Sequence, residues 1–233
     1  IAQEVLSPMA NRIDQGHYPR EIMAALGKAG ALGVHLGAQQ TRYDLALAAM
    51  QEVGSVCGST AFLMWCHGVC GLYMDQSDNT ALRDRLADHA AGRTLGGTAL
   101  SNPIKYLSGI EPMLLRAKKV ANGYLVSGSL PWVSHIAKGQ NCGAFASVEN
   151  DAGEVTHEVL FILDMDERVQ LNPCPACSGM EGTSTWRIKL NDYFVGQDAI
   201  IADPARPFVA RIRGAFILLQ IGMATGLVQA SID

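Results

Sequence analysis

Charge and aromatic rings are both scarce in this 233-residue sequence: 17% of residues are charged and 6% aromatic, against 48% apolar. No block of Lys or Arg occurs, and 18 basic residues against 22 acidic leave a formal charge of -4, which argues against nucleic-acid partners. The apolar share argues equally against disorder and suffices for one large or two modest domains with real cores. Six cysteines without a signal-peptide pattern fit reduced thiols in a cytoplasmic protein better than a disulfide framework. Also missing are the P-loop, the G-x-G-x-x-G turn, H-E-x-x-H and G-x-S-x-G, so P-loop, Rossmann, zincin and hydrolase chemistry lose their usual signatures.

Only one segment tempts a membrane reading: residues 214–232 carry no charge, with Gly222 and Gly226 in a G-x-x-x-G pair. Gln220, Thr225, Gln229 and Ser231 interrupt it, so a buried helix of a bundle is expected here and no membrane span. The sequence stops at Asp233 inside this pattern, which points to a piece of a longer chain.

Helical periodicity dominates residues 1–92. Ile22, Met23 and Leu26 follow Pro19 at helical spacing, Leu45, Ala48, Ala49, Glu52 and Val53 repeat it, and residues 60–74 are apolar nearly all round. Ser77, Asp78 and Asn79 are capping candidates for a helix over residues 80–91. After Gly92 the period becomes two. Asn122-Gly123 joins residues 117–120 to 124–126 as a hairpin, and Trp186, Ile188 and Leu190 alternate with Thr185, Arg187 and Lys189. Several short strands in residues 93–203 suggest an antiparallel barrel or sandwich, and helix returns over residues 204–233.

Two groups offer metal-ligand types. Cys66-His67-x-x-Cys70 lies in the apolar helix and Cys174-Pro175-Ala176-Cys177 lies far off in sequence, so no metal site is expected from them. Cys174 and Cys177 also lack the βαβ surroundings of a thioredoxin-like motif.

Three segments carry a family resemblance. They are Gly97-Thr98-Ala99-Leu100-Ser101-Asn102-Pro103 with Ser108-Gly109, Asn122-Gly123 leading to Trp132-Val133-Ser134, and Gly179-Met180-Glu181-Gly182-Thr183-Ser184-Thr185. In this order they resemble the acyl-CoA dehydrogenase superfamily, over essentially the whole chain, including Asp14 and Pro19 at the start and Gly222, Ala224 and Gly226 at the end. The resemblance implies an α+β protein with an N-terminal helical domain (1–92), a middle antiparallel β-barrel (93–203) and the first helix of a C-terminal helical bundle (204–233). It implies FAD held between barrel and bundle, and an acyl-CoA thioester oxidised by α-proton abstraction and β-hydride transfer. Full-length members form dimers or tetramers, so a homo-oligomer is expected.

Carried over residue by residue, the resemblance puts Leu100 and Ser101 at the flavin pyrimidine edge, with Trp132, Val133 and Ser134 packing beside the ring and meeting its hydride-accepting nitrogen. Ser108 falls one place late for a serine meeting pyrophosphate or the CoA arm, and is taken as substrate-binding. Ser101, Trp132 and Ser134 are expected on one concave surface. Asn102 replaces the family's Glu, the expected loop 104–107 lacks glycine, Glu181 stands where Arg is common, and residues 34–43 are shorter than the family's loop. Phe216 aligns with one position of the catalytic carboxylate, so no base is visible. Two alternatives stay open: a flavin-dependent monooxygenase on the same scaffold, and a non-catalytic degenerate member.

Overall fold

A computed structural model describes residues 1–37 and 41–232. Residues 38–40, within the stretch expected to be shortened, lie outside the described residues. Helical turns at Ala2–Leu6 and Ser7–Met9 lead into α1 (Ala10–Asp14), followed by α2 (Arg20–Lys28), α3 (Tyr43–Gly54), α4 (Gly58–Gln76) and α5 (Thr80–Ala90). Asn79 caps α5, its side chain accepting from the Ala81 N–H at 3.1 Å. The apolar helix is α4, buried from Ser59 to Met74 except at Phe62, and covered by α3, α5 and the strand that follows.

Eight strands follow among the described residues: β1 (Gly96–Thr98), β2 (Leu115–Val120), β3 (Gly123–Val133), β4 (Asn141–Glu149), β5 (Val155–Asp164), β6 (Gln170–Pro173), β7 (Trp186–Gly196) and β8 (Ile200–Ala202). Asn122 turns the β2–β3 hairpin at φ +62°, a conformation asparagine tolerates. Between β1 and β2 runs a short helix, α6 (Ser101–Leu107), where a glycine-poor loop was expected. Pro103 falls in its first turn, where the missing N–H costs nothing.

The expected antiparallel barrel is corrected on two counts. The sheet is mixed, because β1 and β2 both run parallel to β4 and pair with successive stretches of it, with α6 connecting the one to the other. It is also open, in the order β6-β7-β3-β2-β4-β5-β8, with β6 and β8 as unjoined edges. The β8 edge is closed by side chains instead: Ser77 Oγ donates to Ile201 O, and Asn79 Nδ2 donates to Gln197 O and Ile200 O.

Two cores lie on either face of the sheet. Phe145, Leu160 and Ile162 face the helices, while Ala144, Ala146, Val159 and Phe161 join Leu115, Tyr124 and Ile188 inside the sheet's own curve. A fully buried histidine group ties helices to sheet. His67 of α4 stacks on His89 of α5 with centroids 3.7 Å apart, and each Nε2–H donates to the other's backbone carbonyl at 3.0 and 2.8 Å. His135, after β3, accepts a hydrogen bond from the Tyr18 hydroxyl at Nδ1, and Gln140 donates to the Tyr18 oxygen. Burial drives His89 down to about 4 and His135 to about 3.

The last helix, α7 (Ala205–Ile232), is among the described residues the one long and apolar enough to cross a membrane. Its glycines serve packing: a Cβ on Gly226 would stand 2.5 Å from Gln51 O and 2.8 Å from Gly54 Cα, so α3 and α7 meet backbone to backbone. Its other side leaves Ile217, Ile221, Leu227 and Val228 exposed.

Two tests follow from this packing. Gly226→Val should destabilise the fold by about 2 kcal/mol in urea melts, since backbone cannot yield, whereas Gly214→Ala, with open space around it, should gain about 0.5 kcal/mol. The histidines also set a pH profile. Their folded values lie below the ordinary 6.5, so the unfolded chain protonates first, and stability is full above that pH and falls as the pH drops toward 4. Each contributes a slope of about 1.4 kcal/mol per pH unit. A flat profile over that range in urea melts would overturn this assignment.

Candidate functional site

Trp132 and Ser134 sit at the end of β3, where the chain leaves the sheet. Trp132 is 50% exposed, while Val133 between them points into the second core and is buried. Strand alternation thus removes Val133 from any wall that Trp132 and Ser134 share. The two line a cavity of about 440 Å³ with Phe62 of α4, Met223 and Leu227 of α7, Cys174, Cys177 and the 179–185 segment.

That segment is held by unusual backbone. Met180 and Ser184 adopt left-handed φ of +63° and +47°, and a Cβ on Gly182 would lie 2.3 Å from Ile13 O. Asp14 accepts from the Met180 N–H at 3.0 Å, and the Glu181 carboxylate accepts from the Cys177 N–H. Three hydroxyls line up behind Trp132: Thr183 donates to Met180 O at 2.8 Å, Thr185 lies 2.9 Å from Thr183, and Ser134 lies 2.7 Å from Thr185. Because Thr183 has spent its proton, Thr185 must donate to Thr183 and Ser134 to Thr185. A lone pair of Ser134 therefore stays open toward the cavity.

Leu100 and Ser108 belong elsewhere, lining a second cavity of about 520 Å³ between α6 and α7 with Ile104, Arg213 and Phe216. The structure does not join these two residues to Trp132 and Ser134 in one pocket. Ser101 lines neither cavity: it is the exposed first residue of α6, though β1 just before it runs against the end of β3, where a Cβ on Gly97 would meet Ser134 O at 2.4 Å. Ser108, just past the end of α6, donates its hydroxyl back to Ile104 O at 2.8 Å, which occupies its proton. Asn102, in place of the family's Glu, is buried and structural, donating to Glu111 Oε1 and Pro112 O and accepting from Leu114 N.

The partition between the cavities is aromatic. Phe62 and Trp65 centroids are 5.6 Å apart, and Trp65 meets Phe216 edge-on at 5.3 Å while its Nε1 donates to Phe216 O at 3.4 Å. Sequence reasoning missed Phe62, Thr183, Thr185, Met223 and Leu227 as wall residues. Only the 3.6 period of α4 and α7 hints at the helical ones, and it reads equally as core. No carboxylate lines the cavity at Phe216 among the described residues, and Glu181 is the acid in the Trp132 cavity.

Cys70 donates to Asn141 Oδ1 beside β4 and Cys174 to Pro131 O on the far rim, so the two cysteine groups serve separate places. Among the described residues no cluster suits a metal ion. The hydroxyl row and half-exposed indole do suit a flat heteroaromatic ring: one aromatic face, and polar atoms along one edge. The 104–108 segment does not suit phosphate, being helical, with its serine hydroxyl already engaged.

Comparison with known proteins gives a consistent picture. Residues 1–92 match the family "Acyl-CoA dehydrogenase, N-terminal domain". The chain is 24% identical over 251 residues to a probable acyl-CoA dehydrogenase, YngJ, of Bacillus subtilis (strain 168), covering 100% of this chain and 64% of that one. The butyryl-CoA dehydrogenase of Megasphaera elsdenii superposes with a TM-score of 0.83 at 18% identity, covering 98% of this chain and 63% of that chain. The HsaA monooxygenase from M. tuberculosis superposes at 0.73 and 19% identity, covering 95% and 60%. The chain thus spans less than two thirds of these relatives.

An ion pair fixes the second cavity's wall. Glu158 of β5, only 3% exposed, takes Arg206 Nε at 2.8 Å, a second Arg206 nitrogen at 2.5 Å and the Tyr106 hydroxyl at 3.1 Å. Arg206→Met should cost about 2 kcal/mol by stranding that carboxylate, with Arg206→Met/Glu158→Met recovering most of it in the same urea melts. A single variant as stable as the parent would deny the pair this role.

Proposed function

Since the chain belongs to the acyl-CoA dehydrogenase superfamily, we propose that it forms the helical and sheet portion of a flavoprotein that oxidises an acyl-CoA thioester. The observation that carries this reading is the wall made by Trp132, Ser134 and Thr185, closed on the other side by Phe62 and Met223. FAD, when bound, would supply the hydride acceptor. Trp132 would cover one ring face and exclude water from it. Ser134, with its lone pair open, would accept from a ring N–H, and by turning its hydroxyl away from Thr185 would donate to a bare ring nitrogen. Ser101, whose hydroxyl has no partner among the described residues, remains the candidate for the ring's carbonyl edge. The row of Thr185 and Thr183 behind Ser134 fixes its position without a charged group.

A second reading has its own support. The cavity lined by Phe216 holds no carboxylate among the described residues, and a flavin-dependent monooxygenase needs none for α-proton abstraction. In the dehydrogenase reading that base belongs to chain outside these 233 residues. The exposed α7 residues Ile217, Ile221, Leu227 and Val228 support a homo-oligomer, dimer or tetramer, of the full-length protein. Six free cysteines support a cytoplasmic location, where thiols stay reduced.

Absorbance spectroscopy on the full-length protein with added FAD tests the reading. Stoichiometric flavin should bind, anaerobic acyl-CoA should bleach it, and Trp132→Ala should weaken flavin retention about tenfold. Bleaching by reduced nicotinamide with oxygen uptake, and none by acyl-CoA, would select the monooxygenase. A folded protein that takes up no flavin would leave the non-catalytic member.

A further inference from the structure

Four of the six cysteines are sealed inside the molecule: Cys57, Cys66, Cys70 and Cys142. Burial holds the thiols of Cys66, Cys70 and Cys142 far from ionisation, with Cys70 pushed up to about 12. The other two are different in kind. Cys177 is exposed and Cys174 half-buried, and both stand in the rim of the Trp132 cavity. Cys174 Sγ donates to Pro131 O at 3.4 Å, the carbonyl directly before Trp132. Cys177 Sγ turns back to Pro175 O at 3.7 Å, and its amide is tied to Glu181 in the opposite part of the same rim.

We propose that Cys174 and Cys177 are a reversible thiol–disulfide pair, oxidised by a low-molecular-weight disulfide, whose closure reshapes the rim beside Trp132. The two are three residues apart, which keeps their Cα atoms within about 10 Å even in extended chain. Residues 174–177 lie between β6 and the Glu181–Thr183 turn and belong to no strand or helix, so the backbone can fold the remaining distance to bridging geometry. Arg187 adds a positive charge that favours the Cys174 thiolate, opposing the partial burial that raises it. This is not a thioredoxin-type active site. No helix N-terminus supports either thiol, and its consequence falls on the cavity instead.

The chemistry balances in two displacements. The Cys177 thiolate attacks one sulfur of the small disulfide, forming a mixed disulfide and releasing one small thiolate, which takes up the Cys177 proton. The Cys174 thiolate then attacks the Cys177 sulfur, forming the intrachain bond and releasing the second small thiolate, which takes up the other proton. The protein loses two electrons and two protons, and one small disulfide becomes two small thiols. Closing the ring draws Cys177 toward Cys174 and Pro131, and so moves the rim across Trp132.

The inference rests on the rim and not on the flavin, so flavin content is recorded separately. Reduced full-length protein is exposed to glutathione disulfide, blocked with an alkylating agent and mapped by mass spectrometry. Cys174 and Cys177 should together lose two hydrogens and alkylate about tenfold or more slowly, while the four buried cysteines stay reduced. Cys174→Ser should instead retain glutathione on Cys177. Tryptophan emission should fall on oxidation of the parent protein, and Trp132→Phe should abolish that change. Glutathione stably held on the parent's Cys177, unreactive thiols, or closure without a change at Trp132 would each overturn the proposal.

Discussion

The constraint on which the molecule depends is that α4 has no polar face. From Gly58 to Met74 it carries no charged side chain, so every side of it must be covered, and each neighbour is placed by that requirement. Where small residues let backbones approach, the contacts are closest. The Cδ2–Cε2 edge of the Tyr73 ring lies against Gly143 of β4, where a Cβ would fall 2.3 Å from it, and its hydroxyl meets Thr98 Oγ1 at 2.7 Å. Gly71 and Gly68 admit His89 and His35 side chains in the same way. The polar groups this burial traps are paired mostly with one another, which is why the histidines stack and exchange backbone hydrogen bonds rather than reach water.

Both cavities are walled by α7, one with α4 and the other with α6. Phe62 and Trp65 occupy successive turns of α4, and Phe216 and Met223 lie two turns apart on α7, so the aromatic contact at Trp65 stands between the two cavities. The sheet contributes only strand ends to these walls. Strand ends can carry exposed side chains such as Trp132 because their neighbours, here Val133, remain anchored in the core.

Local signals were legible where one residue type dictates geometry. Asn122 marked its hairpin, Asn79 its cap, and the all-round apolar stretch at residues 60–74 its buried helix, whereas the uncharged run at 214–232, expected buried, is a helix exposed along much of its length. Glycines 222 and 226 spoke of helix packing, and α3 is what they pack against. What sequence did not reveal was non-local. The helix α6 hid behind Asn102-Pro103, which reads as a turn although proline is welcome in a first helical turn. Period-two strands cannot say whether a sheet closes, and three-residue strands such as β1 and β8 are too short to show a period at all. For the site, the segments that carried the resemblance lie on two cavities, so motif order along the chain did not imply a shared pocket.

That division limits what these residues can do alone. The Trp132 cavity offers ordered hydroxyls and an aromatic surface, which orient a ring but move no proton from carbon. The Phe216 cavity is largely apolar with Arg206 and Arg213 at its wall, and no carboxylate lines it among the described residues. Removing a proton from carbon needs a positioned acceptor: among the described residues Glu181, tied to the Cys177 N–H, is the carboxylate lining the Trp132 cavity, and none lines the cavity at Phe216. Ile217 lines the Phe216 cavity and Leu227 the Trp132 cavity, and both are exposed on α7 beside Ile221 and Val228, so whatever covers this apolar row also closes on both cavities.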